Sequence, residues 1–154
     1  MKDLPVNTES LQTILSCFPH CKMLEMQIKN IDDKKLTVEM PYSQQIIGNP
    51  DTGVIHGGAI TTLIDSSMGL SVPIGLGGFS NFAPTLDLRI DYMTAAKPNK
   101  SVFSCAETYR VTSNVVFTRA IAYQDNINTP IANAVASFML LPAEVTEGSN
   151  ILNG

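Results

Sequence analysis

The run from residue 58 to 72 is apolar over most of its length, and no other feature constrains the chain as tightly. Ile60, Leu63, Ile64, Met68 and Leu70 supply bulk around most of a helical circumference, so a helix here must be covered on several sides. Pro73 and the glycines at 75, 77 and 78 are expected to end it. The cover comes downstream, where the period changes to two. In residues 85–92, Leu86, Leu88, Ile90 and Tyr92 face one way and Thr85, Asp87, Arg89 and Asp91 the other. Strand runs follow at 101–111, 115–124 and 131–141. The turn clusters between them are short, which favours antiparallel neighbours. Upstream, Asn7 or Thr8 can cap a short helix through Leu11, Ile14 and Leu15, with Pro19 expected to stop it. Residues 21–31 read as a strand, 35–40 as a second, and 41–55 as a loop. The expectation is one α+β domain over 1–154: a long central helix wrapped by a curved antiparallel β-sheet, with a short N-terminal helix. Its core covers about 20–141, and a polar tail at 143–154 is expected to be loose.

Hydrophobic residues at 44% against 16% charged sustain a packed core. A net charge of −4 with no clustered Lys/Arg run argues against a nucleic-acid partner. The opening MKDLPVNTES lacks the apolar centre of a signal peptide, and no uninterrupted apolar run reads as long enough to span a bilayer. Three cysteines, an odd number, fit reduced thiols. These features point to a cytoplasmic protein with no membrane segment. Cys17-Phe-Pro-His20-Cys21 lacks an evident fourth metal ligand and reads as a helix end with two buried thiols. No metal is expected. Cys105 reads as core. Arg89, Arg110 and Arg119 read as solvent-facing strand charges, any of which could instead meet a phosphate.

The chemistry concentrates in NPDTGVIHGGAITTLIDSSMGL, from Asn49 to Leu70. Thr61, Thr62, Asp65, Ser66 and Gly69 form a narrow small or polar stripe on the apolar helix. Asp65 has no Lys or Arg within the helix to pair with, and an unpaired carboxylate in apolar surroundings is costly. It is a structural Asp bonded to backbone or hydroxyls, or a functional one. Gly57 and Gly58 let a ligand approach the backbone closely, and the first N–H groups of a helix can polarise a carbonyl. Asp65 lies eight residues past Gly57, roughly 12 Å along a helix axis. If the two cooperate, one must come from a neighbouring subunit, as in a symmetric dimer with antiparallel helices.

Asn49…Gly53…His56-Gly57-Gly58…Leu63…Asp65…Gly69, followed by Thr-Leu-Asp-Leu-Arg-Ile-Asp-Tyr-Met, resembles the hotdog-fold thioesterases, in particular the phenylacetyl-CoA thioesterase-like (PaaI-like) branch. The resemblance covers about residues 20–141. It implies a long helix wrapped by an antiparallel sheet, dimers pairing into tetramers, and active sites between subunits that hydrolyse acyl-CoA thioesters. It implies that the Gly57 N–H polarises the thioester carbonyl and that Asp65 of the partner chain is general base or nucleophile. Thr85 matches a small hydroxyl position that helps hold water, and Asn49 a water-positioning residue. His56 matches an organiser of the loop. Asn49 stands seven residues before His56 where the family usually has Asn or Gln six before, so this loop is one residue longer. His56, Gly58, Ser66 and Gly69 are expected beside the substrate, the last two as room next to Asp65 for an aryl or medium-length acyl chain. No redox cofactor is implied. Two alternatives share the fold. An acyl-CoA binding or sensor module should not need an acid at 65. A dehydratase pairs a catalytic His with an acid, and the surroundings of His56 do not match that pattern.

Overall fold

In a computed structural model, which describes residues 5–79 and 83–141, the first helix is α1 (Thr8–Cys17). Asn7 caps it in a reciprocal box: its Oδ1 accepts from the Ser10 N–H at 2.9 Å, and Ser10 Oγ accepts from the Asn7 N–H at 3.1 Å. Pro19 does not merely end this helix. It opens a second, α2 (Pro19–Met23), because a proline at the first helical position gives up an N–H that had no intrahelical partner. The strand expected over 21–31 therefore shrinks to β1 (Gln27–Asp32). Cys21 is buried as expected, but Cys17 is exposed.

β1 pairs with β2 (Lys35–Met40). The 41–55 loop holds a 3-10 turn (Gln44–Ile46) and a small hairpin, β3 (Ile47–Asn49) with β4 (Val54–Ile55). The central helix, α3, runs Gly57–Leu76. Pro73 lies inside it rather than after it. The helix stops at Gly77, in the left-handed conformation, where the N–H groups of Gly77 and Gly78 donate to the Ile74 and Pro73 carbonyls. At 20 residues α3 is long and apolar enough to cross a membrane by length and composition alone, although Asp65 and its hydroxyl residues interrupt the apolar run. Here that apolar surface is spent on the sheet.

β5 (Thr85–Tyr92), β6 (Val102–Val111), β7 (Val115–Tyr123) and β8 (Ala132–Met139) complete an antiparallel sheet of order β1-β2-β6-β7-β8-β5. α3 lies across its inner face, chiefly on β6 and β7. The floor beneath the helix is small: Ala120, Ala122, Ala132, Ala134 and Ala136 are all buried there, which lets the backbones come close. Larger side chains, Leu36, Val38, Met40 and Phe138, fill the margins. Leu63, Ile64 and Met68 are fully enclosed between them, each worth about 1.5–3 kcal/mol of apolar burial.

Two buried serines on α3 also face the sheet. Ser67 Oγ donates to the Ile64 carbonyl and lies 2.6 Å from Ser104 Oγ. Ser71 Oγ donates to the Met68 carbonyl, and Thr108 Oγ1 donates to the Ser71 carbonyl. Their polar groups are thus satisfied inside the core. Cys105 is not in that core. Strict alternation puts Ser104 and Ala106 inward and Cys105 on the outer face, half-buried beside Thr37 and Tyr123. Burial there pushes its thiol above the ordinary cysteine range.

Candidate active site

The polar stripe of α3 is not one open face; each member meets a different neighbour. Thr62 Oγ1 lies 3.4 Å from His20 Nε2, and Ser66 Oγ 3.4 Å from Cys21 Sγ, so α2 covers that edge. Gly69 lies under Phe138, whose ring would be 3.4 Å from an added Cβ. The two residues expected to leave room beside Asp65 are thus both in contact with their own chain.

Asp65 meets β5. Its Oδ1 accepts a hydrogen bond from Thr85 Oγ1 at 2.9 Å. Simple alternation turns Thr85 away from the helix, yet it arrives there because β5 carries a bulge. Thr85 opposes Phe138 and Asp87 opposes Ser137, so Leu86 is the extra residue. Beyond the bulge the alternation resumes with Leu88, Ile90 and Tyr92 on the helix side. Leu86, expected inward, is 54% exposed. The contact leaves Asp65 Oδ2 without a partner among the described residues, on a half-buried carboxylate.

The other end of the site is the start of α3. His56 is the N-cap, and its Nδ1 accepts from the Gly58 N–H at 2.9 Å. That ring nitrogen serves as an acceptor here. The His56 N–H itself donates to the Ile46 carbonyl at 2.8 Å, which ties the loop to the cap. The Ala59 and Ile60 N–H groups donate to the His56 carbonyl. Of these first-turn donors, the Gly57 N–H alone has no acceptor among the described residues. It is an exposed donor at the positive end of a 20-residue helix.

Sequence reasoning missed two residues here. Tyr92 Oη donates to the Gly57 carbonyl at 2.7 Å and lies 2.9 Å from Thr61 Oγ1. The signal was present, since Tyr92 falls on the inward phase of β5 and Thr61 is one helical turn from Gly57. Next to them an uncharged groove of about 380 Å³ is lined by Val54, Ile55, Gly57, Ile60, Tyr92 and Met93, among others. Asn49 sits in the exposed turn before this end. Its Oδ1 accepts from the Asp51 N–H at 2.9 Å, and its carbonyl accepts from the Gly53 N–H at 2.8 Å.

A carboxylate steadied by one hydroxyl and a free helix-start amide are tools for attack on a carbonyl: a base or nucleophile, and a donor for the oxyanion. The sequence profile of the thioesterase superfamily matches residues 52–131, which hold both. The chain belongs to the thioesterase superfamily. Its architecture is the hotdog fold, as the sequence resemblance implied.

Among solved structures of similar shape, this thioesterase-superfamily chain is 51% identical to a Pseudomonas aeruginosa protein. The TM-score is 0.80, over 89% of this chain and 100% of that one. Mouse thioesterase superfamily member 2 is 21% identical, with TM-score 0.72 over 87% and 97% of the two chains. The Escherichia coli PaaI protein from the phenylacetic acid degradation operon is 13% identical, with TM-score 0.74 over 87% and 92%. At such identities these two show the shared fold alone. A Halobacterium salinarum protein provisionally named an esterase is 30% identical over 95 residues, 60% of this chain and 61% of that protein. The match thus spans about three-fifths of that curated relative. Family and relatives together support a thioesterase.

Proposed function

We propose that the chain hydrolyses an acyl- or aryl-CoA thioester to the free acid and CoA, at a site shared by two copies. The observation that carries this reading is the pairing of Asp65 with Thr85 at one point of α3 and, at another, the Gly57 N–H, which has no acceptor among the described residues. They are eight residues apart, roughly 12 Å along the axis, too far for one carbonyl to touch both. The thioester carbonyl lies on the Gly57 N–H of one copy. Asp65 of the other copy acts through Oδ2, which has no partner among the described residues, either taking a proton from water as that water attacks or attacking the carbonyl itself. The oxyanion that forms is held by the Gly57 amide until the C–S bond breaks. In the water route CoA leaves with the proton Asp65 took. In the direct route CoA leaves as the thiolate, after which water cleaves the acyl–Asp65 anhydride to the free acid and supplies the thiolate's proton. Thr85 fixes the carboxylate through Oδ1. His56 holds the cap, and Asn49 lies in the turn that flanks the water's approach. The carboxylate at 65 favours this reading over a sensor module.

The topology supports the second copy. β5 is one of the two outer strands of the sheet, with one edge unpaired among the described residues, and Leu86 near its start and Met93 just past its end are 54% and 61% exposed. Its Thr85 end touches Asp65 and its Tyr92 end touches Gly57. Two β5 strands paired antiparallel about a two-fold axis bring the Thr85 end of each to the Tyr92 end of the other. Dimers joined this way can associate into tetramers. The uncharged groove beside Gly57 suits an apolar acyl or aryl group. The groove admits aryl and straight-chain acyl groups alike, so both classes are tried. The test is release of free thiol from a panel of aryl- and straight-chain acyl-CoAs. Steady turnover of at least one supports the proposal, and inertness to all of them sinks it.

A further inference from the structure

The peptide unit between Gly57 and Gly58 is held at both ends. Its carbonyl accepts from Tyr92 Oη at 2.7 Å, and its N–H donates to His56 Nδ1 at 2.9 Å. Two consecutive glycines leave a backbone free to turn, so these bonds remove freedom that the sequence itself does not. Proton counting orders the contacts on the carbonyl side. Tyr92 has one proton, and the shorter bond takes it to the Gly57 oxygen. The single Thr61 proton is then shared between Tyr92 Oη at 2.9 Å and the same carbonyl at 3.1 Å. The favoured arrangement is a relay, Thr61 O–H to Tyr92 O–H to Gly57 C=O, in which each bond polarises the next. Tyr92 reaches this point from the last residue of β5, the strand whose first residue, Thr85, steadies Asp65.

We infer that Tyr92 is a positioning residue for the Gly57 amide: by clamping the adjoining peptide it sets the direction of the free N–H. The inference rests on the oxyanion role proposed above for Gly57. A donor aimed at an oxyanion gains its effect from being fixed before the reaction, so loosening the clamp lowers turnover more than ground-state binding.

The Tyr92→Phe variant keeps the ring and removes only the hydroxyl. With phenylacetyl-CoA and octanoyl-CoA as probes, kcat is expected to fall about tenfold with KM within about twofold of wild type. Amide hydrogen exchange at Gly58, measured by NMR without substrate, is expected to quicken. A kcat within about twofold of wild type overturns the inference and leaves the hydrolysis reading standing. So does a raised KM with kcat unchanged, which makes Tyr92 a substrate contact, and so does unaltered Gly58 exchange. Wild-type protein inert to both probes removes the hydrolysis reading for these thioesters and the inference with it. Should Y92F fail to fold, Thr61→Val carries the same test, since it removes the relay's first donor and keeps a β-branched side chain. An unchanged kcat in T61V then overturns the inference.

Discussion

Thr85 Oγ1 donates to Asp65 Oδ1 at 2.9 Å from a strand position that plain alternation turns outward. The bulge at Leu86 makes the contact possible, so the residue that spoils the strand's regularity also sets the carboxylate. Thr85→Val keeps the shape and removes the donor. A hydrogen bond to a charged group is worth about 1.5–3 kcal/mol, so roughly a tenfold or larger loss in kcat/KM is expected. Thr85→Ser should retain most of the activity. Both are read from thiol release, and a Val variant as active as wild type removes the positioning role.

Asp65→Asn tests the carboxylate itself. The carboxamide keeps the size and can still accept from Thr85, but it cannot take a proton or attack as an anion. Turnover is expected to drop about a hundredfold or more, with the melting temperature within a few degrees of wild type. Unfolding of D65N at ordinary temperature would instead assign Asp65 a structural role.

The elements whose pattern is their own were legible in the sequence. The apolar helix, the alternation over 101–111 and 115–124, and the His-Gly-Gly start of α3 all announce themselves within a few residues. What escaped depends on partners. Pro19 looks like a stop until a helix begins on it. Pro73 looks like an end, yet the Schellman-type closure at Gly77 and Gly78 lies beyond it. Leu86 and Thr85 depart from the faces that alternation gives them because a bulge is a property of two strands in register, and only β8 reveals it. Cys105 turns outward because the phase of β6 that meets α3 is the one carrying Val102, Ser104 and Ala106, which only the packing against the helix reveals. Asp65, Gly57 and His56 were visible as chemistry. Tyr92 was visible only as a strand residue, since its contact with Gly57 spans 35 positions.

At Gly75 the backbone of α3 comes close to Thr108 of β6. A Cβ there would overlap the Thr108 side chain, well inside van der Waals contact. Two effects oppose each other in Gly75→Ala. Alanine gains about 1 kcal/mol of helix propensity. Overpacking against a β-branched residue, whose hydroxyl is tied to the Ser71 carbonyl, costs about 1–3 kcal/mol. The cost is expected to win, lowering the melting temperature by about 2–6 °C in a calorimetric scan. A rise would mean that the helix end shifts freely and that Thr108 does not fix its height.

The shared site makes the sharpest demand. Asp65→Asn disables the carboxylate, and Gly57→Leu blocks approach to the amide. A Cβ at 57 stands 3.6 Å from Tyr92 Oη, ordinary van der Waals contact, so the position accepts the first side-chain atom beside the clamp. Each variant alone should be folded, oligomeric and nearly inactive. In a mixed dimer, one site carries both substitutions. The other combines the native Asp65 of one chain with the native Gly57 of its partner. Random exchange of equal amounts makes half of the dimers mixed, each with one intact site of two, so activity should return to about a quarter of wild type. The measurement is thiol release after subunit exchange, with heterodimers verified by mass spectrometry. Verified heterodimers without recovered activity would mean that Asp65 works with groups of its own chain. The Gly57 amide would then not be the donor it serves.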